Sequence, residues 1–167
     1  MPTDCELGLG GAAGSSGNPY DTPVVCTSET TWQGGNEESP RMRPGGTCIA
    51  CHRDGDGDDE GEGPLFAFAG TVYPTAHEPN DCNGLDGPKE GAKVVIVDAN
   101  DASFTMNVNS VGNFYMDQRD EIALPYRAKV IAGGRERVMA TEQSSGDCNS
   151  CHTESGTDHA PGRILAP

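Results

Sequence analysis

Ala92-Lys93-Val94-Val95-Ile96-Val97-Asp98, opened by Gly91, holds four β-branched residues in succession and reads as a strand. The same grammar repeats on both sides of it. Upstream, Phe66-Ala67-Phe68-Ala69-Gly70-Thr71-Val72-Tyr73 is another strand. Downstream, Ser103-Phe104-Thr105-Met106-Asn107-Val108 alternates apolar and polar residues at period two, as a half-buried strand does. Asn113-Phe114-Tyr115-Met116 follows Gly112, and Tyr126-Arg127-Ala128-Lys129-Val130-Ile131-Ala132 alternates again. Gly133-Gly134 then supplies a hairpin turn into Arg135-Glu136-Arg137-Val138-Met139-Ala140. Short strands with regular turn signals predict a mostly β chain built on a small antiparallel sandwich over 65–141. No segment has the length and periodicity of a sizeable helix.

Two copies of one motif flank the strands: Cys48-Ile49-Ala50-Cys51-His52 and Cys148-Asn149-Ser150-Cys151-His152. Each is C-x-x-C-H, the spacing of c-type haem attachment. Two thiols must reach the two vinyl groups on one side of a porphyrin, and the next residue must lift an imidazole under the iron. One tight turn with that spacing does all three. Zinc held by two Cys pairs is the competing chemistry, but zinc ribbons separate their pairs by roughly 15–20 residues. Here about a hundred residues intervene, and zinc gives no reason for a His after each pair. A thioredoxin-like pair requires a βαβ context that neither site has. Plain disulfides are the remaining alternative. The expectation is two covalent haem c groups on Cys48, Cys51, Cys148 and Cys151, with His52 and His152 as iron ligands.

The chain has four His, so His77 and His159 are left as one spare for each iron. That is the count bis-histidine ligation requires. His77 lies in the turn Pro74-Thr75-Ala76-His77-Glu78-Pro79-Asn80, where Glu78 or a backbone carbonyl can accept its other ring N–H. His159 follows His152 by only seven residues, a reach of at most roughly 23–25 Å. The alternatives are a crossed pairing of the two spares, service of His159 to a neighbouring molecule, and plain surface histidines. Met42 and Met139 are rival ligands, and a thioether would raise the potential. Met106 and Met116 read as core filler on strands.

Around these motifs the composition is lean. Only 34% of the 167 residues are apolar, while 23 Gly and 12 Pro make the chain rich in loops. Porphyrin faces would replace part of the missing core. The net charge of −15 opposes nucleic acid and anionic membrane surfaces as partners and favours positively charged ones. No transmembrane run is present. The first thirty residues lack a charged n-region and an apolar h-region, so the expected form is a mature one, trimmed of its export signal.

Four segments result: an irregular Gly/Ser/Pro-rich stretch over 1–45, the first motif and an acidic loop over 46–64, the sandwich over 65–141, and the second motif with the tail over 142–167. In the loop, Asp54-Gly55-Asp56-Gly57-Asp58-Asp59-Glu60-Gly61-Glu62 resembles the start of a Ca²⁺ loop, but Leu65 stands where the EF-hand pattern needs Glu. A looser Ca²⁺ site competes there with a solvated acidic loop. Of the seven Cys, Cys5, Cys26 and Cys82 are not in the motifs. They allow one disulfide, for which Cys26–Cys82 is the preferred pair. Trp32 and Met42 are read as a lid over haem or as a small cluster under a loop. Arg41 and Arg43 are read as propionate partners or as solvated charge.

Gly70-Thr71-Val72, Gly91 to Asp98, Gly112-Asn113-Phe114-Tyr115 and Pro125-Tyr126-Arg127-Ala128-Lys129-Val130 resemble the carboxypeptidase-regulatory-like (transthyretin-like) β-sandwich. That resemblance implies a seven-stranded Greek key without catalysis of its own, one strand more than the pattern shows. The tail, from Gly146 to Thr153 and from Ala160 to Ile164, resembles haem-bearing ends of secreted multihaem proteins from bacteria that respire extracellular acceptors. It implies a periplasmic or extracellular electron carrier that meets redox partner proteins or an extracellular acceptor, with self-association into a filament as a further expectation. Haem attachment of this kind takes place outside the cytoplasm, in agreement with disulfide-permissive conditions. Two other classes compete: a small dihaem peroxidase-like enzyme with one open iron, and a cell-surface binding module in which haem is structural.

Overall fold

The computed structural model describes residues 17–35, 38–52, 64–118 and 121–167. The acidic stretch Asp54–Glu62, with its Ca²⁺ reading, and Cys5 lie outside the described residues. Regular structure is mostly strand: β1 (Phe66–Tyr73), β2 (Lys93–Val97), β3 (Ser103–Asn107), β4 (Asn113–Asp117), β5 (Arg127–Ala132), β6 (Arg135–Val138) and β7 (Ile164–Leu165). Helices are single turns: α1 (Cys48–His52), α2 (Gly87–Glu90) and α3 (Cys148–Cys151). The strands form two sheets, ordered β4-β1-β7 and β3-β2-β5-β6. All pairings are antiparallel except that of β7 with β1.

The core lies between the two sheets and draws from both. Phe68, Val72, Phe114 and Met116 come from one sheet, and Val94, Ile96, Met106 and Val130 from the other. Met106 and Met116 are core residues, 3% and 8% exposed, as their strand positions require. The period-two alternation places these side chains inward and leaves Lys93, Thr105 and Arg127 outside. Asp98 closes the β2–β3 connection, with Oδ1 accepting from the backbone N–H of Asn100 and Ala102 and Oδ2 from that of Ala123.

Two features depart from the segment boundaries. The seventh strand comes from the tail: Ile164 and Leu165 pair in parallel beside Val72 and Tyr73, so the segment after the second motif belongs to the β1 sheet. The irregular N-terminal stretch is docked along its described length. A disulfide joins Cys26 to Cys82, Thr31 bridges to Cys82, and Trp32 N–H donates to the Asp81 carbonyl. Cross-linking residues 56 apart stabilises by roughly 4 kcal/mol through chain entropy.

Close approach of α3 to β1 depends on glycine. A Cβ at Gly70 would lie 2.7 Å from Phe114 Cζ and 3.0 Å from Cys148 Cβ. Gly70→Ala is therefore expected to destabilise by about 1–3 kcal/mol through overpacking. A urea midpoint equal to that of the parent would show that α3 can retreat at no cost.

Candidate functional site

Both motifs pack on β1, and Asn149 connects them. Its side chain, 1% exposed, accepts from Thr71 N–H at 3.0 Å and donates to the Gly46 carbonyl at 2.8 Å and to Thr71 Oγ1 at 3.1 Å. Gly45 N–H also donates to Thr71 Oγ1. One β1 residue thus binds the turn before the first motif and a spacer residue inside the second. A second tie is Arg163, 1% exposed, whose Nε donates to the Glu78 carbonyl at 2.9 Å. Its Nη1 reaches the Gly45 carbonyl (3.1 Å) and the His152 carbonyl (3.4 Å), Nη2 reaches Asn80 Oδ1 (2.8 Å), and the guanidinium lies 5.1 Å over the Tyr73 ring.

The two motifs sit in different surroundings. At the second, Cys148, Cys151 and His152 line an apolar cleft. Its other walls include Val94, Ile96, Val130 and Met139 from the four-stranded sheet and the segment after it. At the first motif Cys51 is exposed, and His52 is half-buried with its ring 4.6 Å from that of Phe66. Phe66 is in turn 4.9 Å from Tyr115, which is 43% exposed on the edge strand β4.

The histidines share a pattern. His52 Nδ1 lies 2.9 Å from the Pro64 carbonyl, His152 Nδ1 3.0 Å from that of Gly162, and His77 Nδ1 2.5 Å from that of Glu154. At His52 and His152 an Nδ1–H donated to a backbone carbonyl fixes the tautomer and leaves Nε2 as the ligand nitrogen. Burial, opposed by the Gly162 contact and aided by the Arg163 charge, pushes His152 below its ordinary pKa, which keeps the imidazole neutral. His77 has a second contact, with Nε2 2.9 Å from the Tyr20 carbonyl. Glu78 does not serve its ring; the carboxylate takes Thr27 and Thr75 hydroxyls and Thr27 N–H instead. His77 is beside the second motif, since Gly162 carries both the carbonyl facing His152 and a Cα packed near His77 Cε1. His159 is exposed at φ 70°. Arg43 stacks over Trp32 at 5.2 Å, and Arg41 is exposed.

The thiols differ. Burial, the nearby Asp147 carboxylate and then Cys51 push Cys48 up to about 11. Burial, Asp147 and Cys48 push Cys148 up to about 12. The Asp147 charge thus acts on the leading thiols of both motifs. Cys151 is engaged in a disulfide whose partner lies outside the described residues. A sulfur carries a disulfide or a thioether, not both, so haem attachment at Cys151 requires that bond to open. Among the described residues the group of three metal-capable side chains is Cys26, Glu78 and Cys82, whose sulfurs are joined to each other.

Because the thiolate is the nucleophile, alkylation of the folded, haem-free chain at pH 8 is expected to mark Cys51 at least tenfold faster than Cys148. The raised thiols also set a pH window. The unfolded chain loses these protons near the ordinary value of 9.0, the folded one only near 11 and 12. Stability of the haem-free chain is thus expected to be full below pH 9 and to fall from there towards pH 12. Equal alkylation rates, or a flat alkaline limb in urea titrations, would contradict this.

Comparison of the chain with protein families, curated proteins and solved structures finds no match in any of the three. Among the described residues no helix is long and apolar enough to cross a membrane.

Proposed function

We propose that this chain is a dihaem c-type cytochrome that transfers electrons outside the cytoplasm. The observation that carries the reading is the second motif: Cys148, Cys151 and a neutral, Nδ1-anchored imidazole line one apolar cleft. Cys148, Cys151 and His152 would hold a haem there once the disulfide at Cys151 had opened, and Cys48, Cys51 and His52 would do so at the first motif. When bound, the groups supply one-electron chemistry, and the chain sets their potential through ligands, burial and hydrogen bonds.

His77, beside the second motif, is the second imidazole proposed for that site, and the Tyr20 carbonyl must release Nε2 for it to serve. His159 is proposed for the other iron. Met139, on the cleft wall, is the rival at the second site. Two sheets with a tail strand added beside β1 support the transthyretin-like Greek key as the scaffold. The Cys26–Cys82 disulfide supports an oxidising compartment, periplasmic or extracellular. The charge of −15 suits a positively charged redox partner, and growth into a filament belongs to the same proposal.

The test is intact mass and absorption after expression in cells that mature c-type cytochromes. A mass two haems above the polypeptide is expected, falling by one haem in Cys148→Ala/Cys151→Ala. A second reading, a disulfide-stapled binding module without haem, is favoured by the disulfide at Cys151. A colourless chain of bare polypeptide mass would select it.

A further inference from the structure

We infer that small external thiols open the Cys26–Cys82 disulfide at one sulfur only, that of Cys26, and that the Glu78 carboxylate holds the reaction slow. The inference uses neither C-x-x-C-H motif, so it stands or falls apart from the reading above. Cys82 is 1% exposed and Glu78 0%, whereas Cys26 is half-buried on the segment docked against them. Cys82 Sγ lies 3.4 Å from Glu78 Oε2 and 3.5 Å from the Asn83 carbonyl oxygen. A disulfide sulfur has no proton to give, so both contacts set acceptor oxygens against it. The Ser28 hydroxyl, 3.5 Å from Cys26 Sγ and 3.6 Å from Cys82 Sγ, donates to the Thr30 carbonyl. The carboxylate is fixed by the Thr27 and Thr75 hydroxyls and the Thr27 N–H. All three donors are neutral, so they place its charge beside the sulfur without cancelling it.

Thiol–disulfide exchange depends on access to the attacked sulfur and on how readily the other leaves as a thiolate. Access selects Cys26. The incoming thiolate bonds to Cys26 Sγ, the bond to Cys82 Sγ breaks, and Cys82 departs with the electron pair. That anionic sulfur forms in a buried place against a carboxylate, and burial and like charge both disfavour it. Water supplies the proton that Cys82 then takes up. A second thiol attacks the mixed disulfide and releases Cys26, so two thiols are oxidised to one external disulfide as the protein bond is reduced. The carboxylate also opposes the incoming thiolate, and an anionic thiol more than a cationic one.

The experiment treats the folded full chain with mercaptoethanol, mercaptoethanesulfonate or cysteamine and follows Cys26 and Cys82 by acid quench and peptide mass mapping. In the parent the trapped mixed disulfide is expected on Cys26, with Cys82 free. Glu78→Gln is expected to react about tenfold faster or more with mercaptoethanol, and to gain more with the sulfonate than with cysteamine. Thr27→Ala removes a hydroxyl from the carboxylate but keeps the charge, and should stay within about threefold of the parent. A mixed disulfide on Cys82 overturns the assignment from the parent alone, whether or not either variant folds. An unchanged rate in Glu78→Gln, a gain that Thr27→Ala matches, or one equal for the two charged thiols overturns the role of Glu78.

Discussion

Arg163→Leu is expected to lower stability by about 4 kcal/mol, which for a chain of this length is a fall in Tm of roughly 8–16 °C. The side chain is 1% exposed and donates to Glu78, Gly45, His152 and Asn80 at once. Leucine fills much of the space but leaves three backbone carbonyls and an amide oxygen without a donor, and each orphan retains its desolvation cost. Because those acceptors belong to the turn before the first motif, the end of the second and the loop carrying His77, the loss should spread to both. Arg163→Lys should recover only part of the stability, since an ammonium presents its donors from one point and cannot span the fork. A urea midpoint within about 1 kcal/mol of the parent for Arg163→Leu would show that these contacts are not what fixes the tail.

Asn149→Leu should cost about 3 kcal/mol, again by orphaning rather than by lost volume. Thr71 N–H and the Gly46 carbonyl would lose the amide that joins them. Amide exchange locates the effect: the Thr71 N–H should lose protection first, while strands β2 and β5 keep theirs. Asn149→Asp separates the contributions. It keeps the acceptor for Thr71 N–H, loses both donations, and sets a carboxylate against the Gly46 carbonyl. Uniform loss of protection across both sheets in Asn149→Leu would mean that the residue supports the whole core and not the junction of the motifs.

The strands were legible because their pattern is local. Val94-Val95-Ile96-Val97 and the alternation in Ser103–Asn107 specify extended backbone and an inward face without reference to the rest of the chain. Ile164 and Leu165 gave no such signal. Two residues are too few for periodicity, and their strand exists only because β1 offers a free edge in parallel. The N-terminal stretch, irregular in pattern, gave no sign of where it docks: over its described part the disulfide and a few backbone hydrogen bonds to the 78–83 loop hold it. At the site, the motif spacing carries the chemistry, but spacing says nothing of burial. Arg163 carried no signal as a tie between the motifs, since its acceptors are carbonyls, which every residue has. Met139 was weighed only as a rival ligand; that it lines the cleft follows from β6 folding beside the second motif.

The amino-acid sequence by itself determined six of the seven strands, the two C-x-x-C-H turns and the sign of the surface charge, because each depends on neighbours in the chain or on a sum over it. Only the tertiary structure decided which motif is enclosed and which is open, that both rest on one strand, and that three imidazoles are anchored through Nδ1. Those properties depend on residues 10 to 118 positions apart meeting in a packed interior. There the cost of burying an unpaired polar group, and not any local preference, selects the arrangement.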